Sequence, residues 1–180
     1  MADAASSGGR APVGDPLDVE KLGRDVDYAG AIYGSLLAAS TVVGTAASRV
    51  VTTNELQLLV ALVTTSVVFW LLHVYVRVVG RELPRGVPWR AATRRSATHE
   101  LPILVAVVPP SAALVLAALL GESDVRAGWW ALWVAVIGQA CWTWVAVRRA
   151  QAARGVALLS MAVSLGLGLV LIGLKVALTH

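Results

Sequence analysis

Charged residues are scarce in this sequence, and their scarcity excludes an ordinary soluble domain. Only 14% of the 180 residues are Asp, Glu, Lys or Arg, whereas 57% are hydrophobic. A soluble domain of this size carries about a quarter charged residues. The mean hydropathy of +0.72 therefore predicts a chain that lies mostly in lipid.

Cysteine and catalytic motifs are also sparse. The single cysteine, Cys141, excludes an internal disulfide and a cysteine-based zinc site, and its place in an apolar run predicts an inert packing residue. His99 and Glu100 begin a zinc-protease motif, but Ile103 stands where the second histidine is needed. There is no nucleophile elbow or phosphate-binding loop, and no apolar run contains aspartate. We therefore predict no enzyme, no catalytic residue, no cofactor and no metal.

Long apolar runs dominate what is present. Five runs are long enough to cross a hydrocarbon core ~30 Å thick at ~1.5 Å per helical residue. Lipid offers the backbone no hydrogen-bond partner, so helix is favoured over strand even where Val and Thr are frequent. We predict an all-α polytopic membrane bundle with five transmembrane helices, at about residues 28–48, 55–80, 99–120, 128–147 and 155–178.

The remaining residues, 1–27, are small, polar and rich in Pro and Gly, which predicts a disordered cytoplasmic tail before a transmembrane domain of residues 28–180. The distribution of basic residues predicts the orientation of that domain. With a cytoplasmic N-terminus, the cytoplasmic segments hold 12 of the 15 Lys and Arg residues. The positive-inside rule then places the C-terminus of this multi-pass protein outside.

The segment between the second and third crossings is rich in arginine. Basic residues interleaved with an aromatic such as Trp89 are able to bind nucleic acid, but beside two crossings they favour anionic lipid headgroups. We therefore predict the bilayer as the partner and no nucleic acid. The arginines concerned are Arg81, Arg85, Arg90, Arg94 and Arg95.

A polar stripe runs along the second crossing, because Ser66, Trp70, His73 and Arg77 recur at spacings of three and four. If crossings two and three are neighbours, His73 faces His99 and Glu100 with Arg77 close by. A structural histidine bonded to a neighbouring helix is one interpretation. A proton relay is another, and a metal ion held by His73, His99 and Glu100 is a third. The candidate polar intramembrane cluster is His73, Arg77, His99 and Glu100.

Two further patterns concern helix geometry. Pro109 and Pro110 lie in the middle of the third crossing, where they remove two backbone donors and predict a break. Small residues four apart let helix backbones approach closely, and they mark the first and fifth crossings as packing helices. The residues singled out for packing are Gly30, Gly34, Gly44, Ser164 and Gly168.

The phrases YGSLLAAS in the first crossing and TTSVVFWLLHVY in the second carry a resemblance. They resemble uncharacterised small multi-pass integral membrane proteins of actinobacteria. The resemblance implies a location in the plasma membrane and no known activity. An excess of arginine over lysine, with abundant Ala, Val and Leu, is likewise typical of a bacterial source with a GC-rich genome.

These observations leave more than one function open. The leading hypothesis is a non-enzymatic scaffold or subunit, self-associated as a homo-oligomer through the small-residue faces of the first and fifth crossings. The alternative is a small oligomeric transporter or channel, with a proton or ion path near His73 and Glu100 and the Pro109–Pro110 break lining it. An enzyme acting on a lipid-soluble substrate is the third hypothesis.

The orientation is directly testable. We expect a tag placed after His180 to react with a membrane-impermeant reagent in intact cells, because five crossings from a cytoplasmic N-terminus end outside. A tag that becomes reactive only after the cells are lysed would contradict the predicted topology.

Overall fold

The computed structural model describes residues 28–47 and 54–179, and within these ranges the chain is helical and forms no β-strand. The predicted tail, residues 1–27, and His180 lie outside the described residues. A π-helical turn (Val78–Glu82) and a 3-10 turn (Leu83–Arg85) follow the second of the α-helices. The α-helices are α1 (Tyr28–Ala47), α2 (Glu55–Arg77), α3 (Trp89–His99), α4 (Leu101–Val105), α5 (Val108–Leu119), α6 (Asp124–Arg149) and α7 (Arg154–Thr179).

Four helical stretches of the described chain are long and apolar enough to cross a membrane. They correspond to the second to fifth predicted crossings, so the all-α, membrane-compatible class is confirmed. The first predicted crossing forms the 20-residue helix α1, which is not among the four. The four stretches are Glu55–Arg85, Trp89–Leu119, Asp124–Arg149 and Arg154–Leu178.

The helical structure starts before the predicted third crossing, whose start at about residue 99 stays a prediction. Helix begins ten residues earlier, at Trp89, because the segment after Pro88 is rich in Ala and Arg, which are strong helix formers. Thr98 therefore lies inside α3 and does not cap a later helix. Its Oγ1 bonds back to the carbonyls of Arg94 and Arg95, 3.0 Å away in each case.

The helix is interrupted in the middle of the third crossing, as the prolines predict. Helix α4 ends at Val105, and α5 restarts at Val108 with proline in its first turn. Pro109 and Pro110 have no N–H to donate to the carbonyls four residues before them, so the helix cannot continue through residues 106 and 107. A proline in the first turn of the new helix costs little, because no partner for its N–H is needed there.

Helix α1 lies at the centre of the bundle, where it packs against α2, α4, α6 and α7. Its neighbour α6 also packs against α5 and α7. The core between them is built largely from alanine and valine, whose small size allows close helix packing. The buried core residues of α1 and α6 are Ala38, Ala39, Val42, Val43, Ala127, Ala131, Leu132, Ala135 and Val136.

The small residues predicted for helix packing divide into two groups. A Cβ on Gly34 would lie 2.5 Å from the carbonyl oxygen of Ile103, and one on Gly168 would lie 2.6 Å from Val136 Cγ1. Gly30 and Ser164 are buried. Gly44, by contrast, is exposed, with no described atom within 4 Å of the position that a Cβ would take, so it packs against no described helix of the same chain.

The outer surface of the bundle is apolar. On α7, Leu158 and Val170 are 72% and 66% exposed, which water would oppose and lipid favours. Cys141 is also exposed on this surface, so it does not pack in the core as its apolar run predicted.

The two glycines of α1 give a matched stability test. We expect Gly34→Ala to destabilise the bundle by about 1–3 kcal/mol, because its methyl group would press on the Ile103 carbonyl. Gly44→Ala should be neutral or stabilising by up to ~1 kcal/mol, since alanine is the better helix former. Unfolding of the purified protein in mixed detergent micelles measures both, and equal effects of the two substitutions would contradict the close approach at Gly34.

Candidate functional site

A groove of about 510 Å³ opens at one end of the bundle, between the first turns of α1 and the last turns of α2. The π-helical turn and the junction of α3 with α4 complete it. It contains three of the four residues of the predicted polar cluster, His73, Arg77 and Glu100, but not His99. The other lining residues are Ala29, Gly30, Tyr33, Leu72, Val76, Gly80 and Arg81.

An ion pair closes the inner side of this groove. Arg77 Nη1 donates to Glu100 Oε1 at 3.0 Å, and the side chains are only 22% and 7% exposed. His99 Nδ1 lies 3.7 Å from the same oxygen, which is beyond hydrogen-bonding distance. The carboxylate of Glu100 is therefore held mainly by Arg77, in a setting with little water to screen the attraction.

The backbone at Glu100 explains why this carboxylate points inward. Glu100 sits between α3 and α4, and its N–H still donates to the carbonyl of Ser96 at 3.0 Å. Pro102, two residues later, has no N–H for the next helical bond, so the helix is interrupted at this point. The interruption places Glu100 at the end of α3, opposite the last turn of α2.

The hairpin formed by α2 and α3 sets the distance between Arg77 and Glu100. Val74 and Val78 pack on Ala92 in a small apolar cluster. Trp70 Nε1 donates to the carbonyl of Ala97 at 3.3 Å across the same contact. The two segments are thus neighbours and antiparallel, which is the arrangement that the polar-stripe hypothesis required.

His73 satisfies one nitrogen within its own helix. Its Nδ1 lies 3.0 Å from the carbonyl oxygen of Phe69, so Nδ1 carries the proton of that hydrogen bond. The predicted bond to a neighbouring helix is therefore replaced by a bond one turn back along α2. The ring also contacts Phe69 and Tyr33, with centroids 4.3 and 6.5 Å apart, and Nε2 of a neutral ring remains an acceptor.

Sequence reasoning missed the contribution of α1 to this site. Tyr33 and Ala29 form one wall of the groove, because the first turns of α1 lie beside the last turns of α2. The order of helices in a bundle leaves no mark in apolar sequence, so these two residues gave no signal. Arg81 was predicted only as a headgroup contact, and it too lines the groove.

A second polar cluster lies within the bundle, between α6 and α7. Gln139 Nε2 donates to the carbonyl of Ser164 at 2.9 Å and lies 3.2 Å from its hydroxyl. Thr143 Oγ1 is 3.0 Å from the same hydroxyl. Gln139 thus bonds across to another helix, and the cluster holds α7 to the bundle.

The described residues do not favour a metal site. Among residues 28–47 and 54–179, no three His, Cys, Asp or Glu side chains are grouped as metal ligands would be. The interpretation in which His73, His99 and Glu100 hold a metal ion therefore has no support from their geometry.

Comparison of the chain with protein-family models, curated proteins and solved structures finds no match.

The Arg77–Glu100 ion pair has a matched control elsewhere in the chain. We expect Glu100→Gln to destabilise the protein by about 3 kcal/mol, the low end of the cost of breaking a buried pair, because Arg77 keeps some solvent contact. Glu122→Gln removes a pair with Arg126, whose side chain is 67% exposed, and should cost less than ~1 kcal/mol.

A double-mutant cycle with Arg77→Gln separates the pair energy from other effects. We expect the two single substitutions at positions 77 and 100 to be strongly non-additive in detergent unfolding. Additive losses would show that the 3.0 Å contact carries no net coupling.

Proposed function

We propose that the chain is a five-pass protein of the plasma membrane that acts without catalysis, as a scaffold or as a subunit of a membrane assembly. Its N-terminus would be cytoplasmic. Four of the five crossings correspond to helices with the length and apolarity to span a bilayer, and α1 is the fifth. The central position of α1 within the bundle supports its assignment as a crossing, because its neighbours α6 and α7 are themselves candidate spans.

The arrangement of the helix ends supports the proposed orientation. Tyr28, at the start of α1, stacks near Trp142, in the last turns of α6, with ring centroids 6.4 Å apart. The start of α1 also meets the end of α2 at the groove. The arginines that follow α2 and α6 thus belong to the same end of the bundle, which is the distribution expected for the cytoplasmic side.

One observation carries the choice of scaffold over transporter: the Pro109–Pro110 break, which a path would need as part of its lining, does not share a cavity with the polar cluster of α2. Ser66 is buried and donates to the carbonyl of Leu62 at 2.7 Å. His73 bonds within its helix, and Arg77 bonds Glu100. The Pro109–Pro110 break lies outside the groove that His73 and Glu100 line. Polar groups that are paired inside the protein stabilise the bundle, which supports the scaffold proposal.

Self-association would use a different surface from the small-residue faces. Gly34 already contacts the α4 backbone, and Gly168 already contacts α6 within the same chain. The faces open to a second copy are the exposed apolar sides of α2 and α7.

Ion and proton flux in proteoliposomes tests the proposal. We expect wild type and His73→Ala, each under an imposed membrane potential, to show the same flux as protein-free liposomes. Addition of an ionophore at the end of each trace verifies that the vesicles are sealed. A flux in wild type that His73→Ala abolishes would overturn the scaffold proposal in favour of a transporter or channel.

A further inference from the structure

The groove lies at the level where a bilayer changes from hydrocarbon to headgroups. Helix α2 has 23 residues up to Arg77, which reach ~35 Å at 1.5 Å per residue. This is slightly more than the ~30 Å of the hydrocarbon core. Arg77 therefore marks the edge of the core, and Glu100, bonded to it at 3.0 Å, lies at the same depth.

The lining of the groove changes in polarity along the membrane normal. Leu72 lies more than one turn before Arg77 at the end of α2, Val76 directly precedes Arg77, and both are exposed to the outside of the bundle. Tyr33 stands across from them on α1. Gly80 and Arg81 lie one turn beyond Arg77, on the headgroup side. An apolar lower half and a basic upper half match the polarity of a phospholipid in its leaflet.

The charge of the groove selects an anion. Among the described residues that line it, Glu100 is the only carboxylate, and this carboxylate already accepts from Arg77. Only Nη1 of Arg77 is used in that hydrogen bond, and a guanidinium has five N–H donors. Arg81 is exposed and forms no ion pair with any described residue. The described lining of the groove therefore carries one more basic than acidic side chain, together with a set of N–H donors suited to phosphate.

We propose that this groove binds one anionic phospholipid, with the phosphodiester between Arg77 and Arg81 and an acyl chain along Leu72 and Val76. The proposal rests on the membrane topology given above. Gly80 leaves room beside the phosphate, since no described atom lies within 4 Å of the position that its Cβ would take.

Native mass spectrometry of the full chain in detergent tests the proposal with phosphatidylglycerol and phosphatidylcholine of the same acyl chains. We expect wild type to retain one phosphatidylglycerol in preference to phosphatidylcholine. Arg81→Gln should weaken this binding about tenfold, the effect of losing one charge-assisted hydrogen bond. Arg90→Gln makes the same change of charge outside the groove, and should weaken binding less than ~2-fold at physiological salt.

A second variant tests the groove without changing its charge. Ala29 is an exposed lining residue, so Ala29→Phe should fill the groove without disturbing the core, and should also displace the lipid. Circular dichroism and gel filtration establish that each variant is folded.

Several results would overturn the lipid site. Equal losses for Arg81→Gln and Arg90→Gln would mean diffuse attraction to the arginines, and retention of phosphatidylcholine to the same degree would mean no anion site. Competition by millimolar inorganic phosphate alone would mean a site for free anions. None of these outcomes changes the expected flux or topology, so the lipid site and the proposed function are tested by separate measurements.

Discussion

Hydrocarbon offers no hydrogen-bond partner, and the polar side chains of α2 are arranged under that constraint. Ser66 and His73 turn back to carbonyls of their own helix. Trp70 and Arg77 reach instead to the carbonyl of Ala97 and the carboxylate of Glu100. The contacts of Trp70 and Arg77 cross to another segment. The need to satisfy these polar groups therefore also determines how α2 and α3 pack together. The groove exists because that pairing ends at Glu100, where the helix is interrupted.

Close packing inside the bundle depends on small residues, because lipid and apolar side chains attract a helix almost equally. Gly34 illustrates this dependence, since only a hydrogen atom fits between its Cα and the carbonyl of Ile103. The contact brings the start of α1 beside the α4 segment, and so beside Glu100. A packing residue thus determines where Tyr33 and Ala29 lie relative to the end of α2.

Sequence patterns that depend on one segment at a time were predicted well. The helical class follows from apolar length, and the break follows from Pro109 and Pro110, because both effects are local to the backbone. The pairing of Arg77 with Glu100 was anticipated only as a neighbourhood, since it required the assumption that crossings two and three are adjacent. The contribution of Tyr33 could not be anticipated, because it depends on which helices meet across the bundle. Gly44 shows the same limit. Like Gly34, it belongs to a set of small residues four apart, but it lies on the exposed side of α1.

The central position of α1 has a consequence for biogenesis. Helix α1 is made before the helices that surround it, and its largest neighbour, α6, follows only after α2 to α5. At 5–20 residues per second, synthesis of the intervening chain takes on the order of ten seconds. During that interval the face of α1 that packs on α6 has no native partner to cover it. Insertion factors or lipid must cover this face of α1 until α6 has been synthesised. The native packing of α1 is therefore completed by a late helix of the chain.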